Sequence, residues 1–174
     1  MKWDKHKAAI KLEEWIKTHL DEQILPLKYI MHLQEYLRRL DDDRLLDGKR
    51  PNLRESENAS GDLVIVQGPP ILKSDSQDQL RFRNRSQLCF SLTLRPTTKS
   101  CFLKAATFDL HLPTTSGIRF MKVHIDGEAS RDPFTKPRSH LHPGFQHVHV
   151  PFPVMDPRAV LDFLIYNIMP RFTQ

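Results

Sequence analysis

The sequence has few cysteines and no long apolar run. The first argues against a protein held together by disulfides, and the second against a membrane-spanning helix. Cys89 and Cys101 are the only cysteines among 174 residues. No secretory leader pattern precedes them, so we expect two buried thiols in a cytoplasmic protein rather than a disulfide framework. No apolar segment approaches the ~18 residues that a membrane-spanning helix needs. The sequence therefore predicts a soluble protein without a membrane partner.

Several catalytic signatures are absent as well. The chain has no P-loop, no nucleophile elbow, no Cys-x-x-Cys pair and no Gly-rich dinucleotide turn. These motifs are typical of nucleoside triphosphatases, of many hydrolases, of thiol oxidoreductases and of dehydrogenases. The sequence therefore contains no motif that would assign the protein to one of these enzyme classes.

The chain is moderately basic. It has 26 Lys and Arg against 21 Asp and Glu, a net charge of +5, which favours acidic partners such as nucleic acid. A strand is predicted from Leu80 to Arg85, where alternation places Arg81, Arg83 and Arg85 on one face. Three guanidinium groups at strand spacing match the successive phosphates of a nucleic-acid backbone. Arginines that blunt a solvated sheet edge give the same pattern, and both interpretations stay open.

Residues 1–41 are predicted to form a helical hairpin. Apolar residues recur with helical spacing from Trp3 to Ile24, and Pro26 suits the first turn of a second helix that continues to Leu40. This hairpin, taken over residues 5–41, packs on the rest of the protein or docks another subunit. Residues 42–62 are charged and rich in turn-forming residues, which predicts a linker.

Residues 63–174 are predicted to form an antiparallel sheet with a C-terminal helix. Short alternating segments separated by turn residues indicate strands, at Leu63–Val66, Leu80–Arg85, Leu88–Leu94, Cys101–Leu112 and Gly117–Ile125. Asp156 can cap a following apolar helix that Pro157 opens and Pro170 stops. The fold class is therefore α+β, with an N-terminal helical hairpin, an antiparallel β-sheet and a C-terminal covering helix.

Four of the nine histidines fall within ten residues, at His140, His142, His147 and His149. A four-residue hairpin loop over 143–146 would place His142 opposite His147 and His140 opposite His149. Side chains alternate along a strand, so all four imidazoles would then share one face, with Leu141 and Val148 on the other. We therefore predict one histidine site on this hairpin.

The histidine site has three open interpretations, of which the simplest is a surface hairpin with hydrogen-bonded histidines and no chemical role. Neutral imidazole is the commonest metal ligand, and several nitrogens from paired strands can meet at a divalent transition metal such as zinc. Asp126 and Asp132 would then orient the rings from a second shell. Alternatively, the imidazoles act without metal as acid and base, or contact phosphate. Opposed like charges are destabilising, so the cluster is expected to be mostly neutral at pH 7 and the hairpin to loosen in acid.

The order of elements from residue 117 to residue 168 resembles the TumE family of toxin-antitoxin proteins. A strand ending in His124-Ile125-Asp126-Gly127 leads through a loop to a segment similar to the family's Pro-x-His-x-His stretch, here Pro137-Arg138-Ser139-His140-Leu141-His142. A further strand and a closing helix complete the likeness. The resemblance implies a bacterial two-gene toxin that acts on RNA and has an antitoxin partner. The N-terminal helices and the charged linker lie outside it.

Two functions of different classes follow. The first is a small nuclease in which His140, His142, His147 and His149 are catalytic, by proton transfer or by metal-activated water, while Arg81, Arg83 and Arg85 hold RNA. The second is a non-catalytic protein that binds a partner through residues 5–41 and has structural or metal-binding histidines. Whether the protein is an enzyme is left open by the sequence.

Overall fold

The structure is a computed structural model, and it describes residues 24–26, 28–47, 53–61, 64–68, 80–113, 117–126, 139–153 and 155–172. The predicted first helix lies outside these residues except for its last residue, Ile24. Asp132, proposed as a second-shell carboxylate, also lies outside them.

Nine strands of the described residues belong to one sheet. In chain order they are β1 (Ile24–Pro26), β2 (Arg54–Glu57), β3 (Val64–Gln67), β4 (Leu80–Arg81), β5 (Gln87–Pro96), β6 (Ser100–His111), β7 (Phe120–Ile125), β8 (Ser139–Pro143) and β9 (Val150–Pro151). All pairings are antiparallel. The main path runs β2-β3-β5-β6-β7-β8-β9, while β4 pairs with β5 and β1 pairs with β6. The predicted antiparallel sheet and the α+β class are confirmed.

One face of the sheet is apolar because residues alternate along its central strands. In β6, Phe108 and Leu110 are fully buried, and the residues between and beside them are not. Opposed residues share a face, so Phe108 lies in one row with Phe90 of β5 and Val123 of β7. The rings of Phe90 and Phe108 stack with centroids 6.1 Å apart. This row is the centre of the hydrophobic core.

Two helical regions contribute to the same core. Helix α1, Tyr29–Asp42, buries a stripe of large side chains, namely Tyr29, Leu33, Tyr36, Leu37 and Leu40. The C-terminal helix consists of α2 (Pro157–Asp162), a π-helical segment (Phe163–Ile168) and α3 (Met169–Phe172). Its buried residues include Val160, Leu161 and Leu164. Both regions therefore cover the apolar face, as the sequence predicted for the C-terminal helix.

Two tyrosine hydroxyls tie α1 to the C-terminal helix. Tyr29 donates to Asp156 Oδ1 at 2.9 Å, and Tyr36 donates to Asp162 Oδ1 at 2.8 Å. Burial raises the pKa of both tyrosines, and the carboxylates raise it further, so the hydroxyls stay protonated donors. Asp156 also accepts from the backbone N–H of Arg158 at 2.8 Å, which confirms the predicted N-cap.

Three local predictions are corrected. Pro26 lies in β1 and not in the first turn of a helix, because residues 24–26 pair with β6. Part of the predicted linker, Arg54–Glu57, is β2 and pairs with β3, since backbone pairing orders even four exposed residues. Pro170 does not stop the last helix, which continues to Phe172. The wider π-helical turn before it eases the clash between a proline ring and the carbonyl four residues earlier.

Within the described residues, no helix has the length and apolar character to cross a membrane.

The predicted strand from Leu80 to Arg85 is wrong beyond its start. Strand β4 ends at Arg81 and β5 begins at Gln87, so the five residues 82–86 turn the chain back. Arg85 has a positive φ of 68°, and Asn84 Oδ1 accepts from the backbone N–H of Ser86 at 3.0 Å, a local bond that favours a turn. Arg81 is therefore a strand residue, while Arg83 and Arg85 are exposed in the loop. The three arginines do not form one strand face.

The loop conformation makes a stability prediction at Arg85. A left-handed backbone is strained for side chains with a Cβ and worst for branched ones. Arg85 already carries the cost of a Cβ in this conformation. We expect Arg85→Val, which adds a branch at that Cβ, to lower the free energy of unfolding by about 1 kcal/mol, and Arg85→Gly, which removes the Cβ, not to lower it. Arg83→Val, in the same loop without positive φ, is the control and should stay within about 0.5 kcal/mol. Urea unfolding measures all three, and equal losses for both valine variants would contradict the loop geometry.

Candidate metal centre

The face of the sheet opposite the core is polar over β6, β7 and β8. Because Met121, Val123 and Ile125 of β7 are buried against the core, alternation turns Lys122 and His124 to the other face. The pairing then sets two neighbouring rows on that face. Asp109, Lys122 and His142 form one row, and Thr107, His124 and His140 form the next.

Four imidazole rings meet where these rows end. The ring centroid of His124 lies 5.4 Å from that of His140 and 5.0 Å from that of His142. The ring centroids of His140 and His142 are 4.9 Å apart. The ring of His149 lies 4.9 Å from His140 and 4.6 Å from His142. We call these four residues the histidine cluster. It contains three of the four predicted histidines and one that was not predicted, His124.

The register of the hairpin explains the difference. His140 pairs with Pro151 and Leu141 pairs with Val150, a shift of two residues from the predicted pairing. The predicted four-residue loop is therefore wrong, and extending the ladder places His149 across from His142. A shift of two keeps each side chain on its face, so His149 still joins the cluster. His147 falls in the loop instead, is exposed, and approaches only the ring of Phe145 among the ring contacts, at 6.0 Å.

Three members of the cluster have the arrangement of a metal site. One ring nitrogen from each of His124, His140 and His142 lies within 4.8 Å of the other two. His140 is fully buried and His142 is 6% exposed. Within the described part of the chain, Nδ1 of His142 is buried and has no hydrogen-bond partner. A buried ring nitrogen without a partner is costly, and a metal ion would satisfy it.

Asp109 is a carboxylate that contacts a ring of the cluster. Its Oδ1 lies 3.6 Å from Nε2 of His124, an ion-pair distance rather than a hydrogen bond, and its Oδ2 accepts from Lys122 Nζ at 3.1 Å. Burial by itself would raise the pKa of Asp109, but the nearby His124 and Lys122 outweigh it and lower the pKa. An ionised Asp109 favours a proton on Nε2 of His124, which leaves the lone pair of Nδ1 for a ligand.

Two carboxylates, Asp126 and Asp132, were predicted to orient the rings of the cluster, and this stays a prediction. Asp126 follows β7 directly and is half-buried, and Asp132 lies outside the described residues. Asp109, which contacts the ring of His124, is not among the residues predicted for the site. Its signal was available, since the buried Phe108 and Leu110 on either side turn Asp109 to the polar face.

The environment of His142 gives a pH prediction for the metal-free protein. Burial lowers the pKa of His142, and the charges of His124 and His149 lower it further, against an opposing effect of the Phe145 and Gln146 carbonyls. Unfolded His142 binds a proton near pH 6.5, whereas folded His142 does so only at a lower pH. Between these two values the unfolded state binds more protons, so acid favours unfolding.

We therefore expect the contribution of His142 to the free energy of unfolding to be constant well above pH 6.5 and to decrease as the pH falls from 6.5 toward the folded pKa. Urea unfolding of chelator-treated protein at several pH values measures this. A His142→Asn variant should show a smaller decrease, and His147→Ala should behave as the unchanged protein. The same pH dependence in both variants would contradict the role of His142.

The chain was also compared with known proteins. No protein-family model, no curated protein and no solved structure matches it. The geometry of the histidine cluster is therefore the basis for a functional proposal.

Proposed function

We propose that the protein binds one divalent transition metal ion through His124, His140 and His142. The observation that carries this proposal is the convergence of three ring nitrogens within 4.8 Å of one another on adjacent strands. Strands β7 and β8 are paired over five residues, so the backbone holds the three rings in one place before any ion binds. Preorganised ligands lose little conformational freedom on binding.

The donor set favours zinc over the lighter cations. Imidazole nitrogen suits zinc, copper, iron and nickel, whereas magnesium and calcium require oxygen ligands. Zinc with three protein ligands keeps a fourth position for water, lowers the pKa of that water to about 7 and so supplies hydroxide at neutral pH. A three-histidine site of this kind supports hydrolytic chemistry, with Asp109 orienting His124 from behind.

The second candidate function is RNA cleavage, in which the hydrolytic chemistry of the metal site would act on the phosphodiester bonds of RNA. The pairing register supports it, because Arg81 lies in the same polar-face row as Gln87, His111 and Phe120, on the face that carries the histidine cluster. The toxin role and an antitoxin partner at residues 5–41 stay predictions. Expression of the protein should arrest bacterial growth if it is such a toxin, and a His140→Ala/His142→Ala double variant should not.

The experiment for metal binding is a zinc competition titration. Protein stripped with a chelator is titrated with Zn²⁺ in the presence of a chromophoric chelator, and we expect one ion per chain. His147→Ala is the matched control, because His147 lies in the loop between β8 and β9 and outside the cluster. This variant should bind zinc as tightly as the unchanged protein. Retention of zinc by a His124→Ala/His142→Ala double variant at the same affinity would contradict the proposal.

A further inference from the structure

His149 differs from the other three members of the histidine cluster in how the fold holds it. His124, His140 and His142 lie within β7 and β8 and take part in their pairing. His149 lies just before β9, at the end of the loop that leaves β8 at Pro143. Gly144 starts this loop with a positive φ of 81°, and a Cβ there would lie 3.1 Å from Ile118. His149 therefore lies at the junction of the loop and β9, one residue outside the paired part of the ladder.

The four rings of the cluster form two triangles that share the edge between His140 and His142. Four rings make six pairs, and five of the six have centroids between 4.6 and 5.4 Å apart. The remaining pair is His124 with His149. The rings of His124, His140 and His142, which all belong to strands, form one triangle. The ring of His149 is close to His140 and His142 and not to His124. The nitrogens that converge within 4.8 Å are those of His124, His140 and His142. A movement of the loop is therefore needed to bring a nitrogen of His149 to the position that a three-ligand zinc site leaves open.

We infer that His149 is a displaceable fourth ligand, which closes the metal site at rest and leaves it when an external anion binds. The inference rests on the proposed metal binding at His124, His140 and His142. A tethered imidazole competes with an external ligand at an effective concentration in the millimolar range. Weak ligands are therefore kept off the metal, while a carboxylate or phosphate oxygen of a substrate with further contacts displaces His149.

Cobalt(II) absorption spectroscopy with azide as the external ligand tests this inference. Co²⁺ takes the place of zinc and reports coordination number through the intensity of its visible bands. In the unchanged protein, the visible spectrum should be that of a four-nitrogen tetrahedral site, and azide should change it only at high concentration. In a His149→Ala variant, azide should bind at least about tenfold more tightly, because it no longer competes with the tethered ring.

Two further variants separate a ligand role from a packing role. His149→Phe keeps a ring of similar size without a ligand nitrogen, and it should bind azide as His149→Ala does. His147→Ala leaves His149 in place and should behave as the unchanged protein. Thermal unfolding of each metal-free variant shows whether it is folded. Should His149→Ala be unfolded, His149→Phe provides the same comparison.

The outcomes distinguish the two claims. If the unchanged protein binds no Co²⁺ at the cluster, the proposed metal binding itself is wrong. If all variants bind Co²⁺ and azide binds equally tightly to each, metal binding stands and the ligand role of His149 is wrong. A tenfold or larger gain in azide affinity that is confined to the two His149 variants supports the inference.

Discussion

A His124→Ala variant is expected to bind zinc more than about 100-fold more weakly than the unchanged protein. The change removes one of three converging nitrogens, and replacing even the outer partner of a metal ligand typically costs about 10- to 100-fold in affinity. Asp109 is such an outer partner, with its Oδ1 3.6 Å from His124 Nε2. An Asp109→Asn variant should therefore lose about 10- to 100-fold, between the unchanged protein and His124→Ala.

The competition titration described above gives these affinities on one scale. His147→Ala serves again as the control with unchanged affinity, since its ring contacts Phe145 and no ring of the cluster. The order of the variants is the informative result. Affinity of His124→Ala equal to that of the control would exclude His124 as a ligand, and a larger loss for Asp109→Asn than for His124→Ala would place the ion at Asp109 instead.

Replacing Phe108 with alanine is expected to lower the free energy of unfolding by about 3 to 5 kcal/mol. Phe108 is fully buried in β6, stacks on Phe90 and opposes Val123 across the sheet. Alanine there loses the transfer free energy of the ring and leaves a cavity among side chains that cannot collapse into it. Domains of this size are marginally stable, so the variant should unfold at a much lower urea concentration.

Lys99→Ala is the matched control for this experiment. Lys99 is exposed in the turn between β5 and β6, and its replacement should change the free energy of unfolding by no more than about 0.5 kcal/mol. Urea unfolding followed by circular dichroism measures both variants. A loss below about 1 kcal/mol for Phe108→Ala would mean that the row of Phe90, Phe108 and Val123 is not the centre of the core.

The central strands could be predicted from the sequence because their signal is local. Buried and less buried residues alternate through β5 and β7, and the predicted segments Leu88–Leu94 and Gly117–Ile125 overlap the observed strands Gln87–Pro96 and Phe120–Ile125. The turn at Arg85 was missed because three alternating arginines imitate a strand. Asn84 and Ser86 were the local sign of a turn, through the bond between the Asn84 side chain and the Ser86 backbone.

The histidine cluster was predicted in part, because its composition depends on register. Alternation in β8 was enough to place His140 and His142 on one face. Two strands separated by a long connection pair in a register that their own residues do not reveal, so the sequence could not show that His124 opposes His140. For the same reason, the predicted hairpin loop is shorter than the observed one. In the longer loop His149, and not His147, lies opposite His142.

The most direct test of the metal centre is X-ray absorption spectroscopy at the zinc edge on protein loaded with one equivalent of Zn²⁺. The cluster predicts a first shell of nitrogen and oxygen only, at ~2.0 to 2.1 Å, with the outer scattering of three or four imidazole rings. A shell containing sulfur at ~2.3 Å would place the ion at a cysteine. Either that result or a shell without imidazole scattering would contradict zinc binding by His124, His140 and His142.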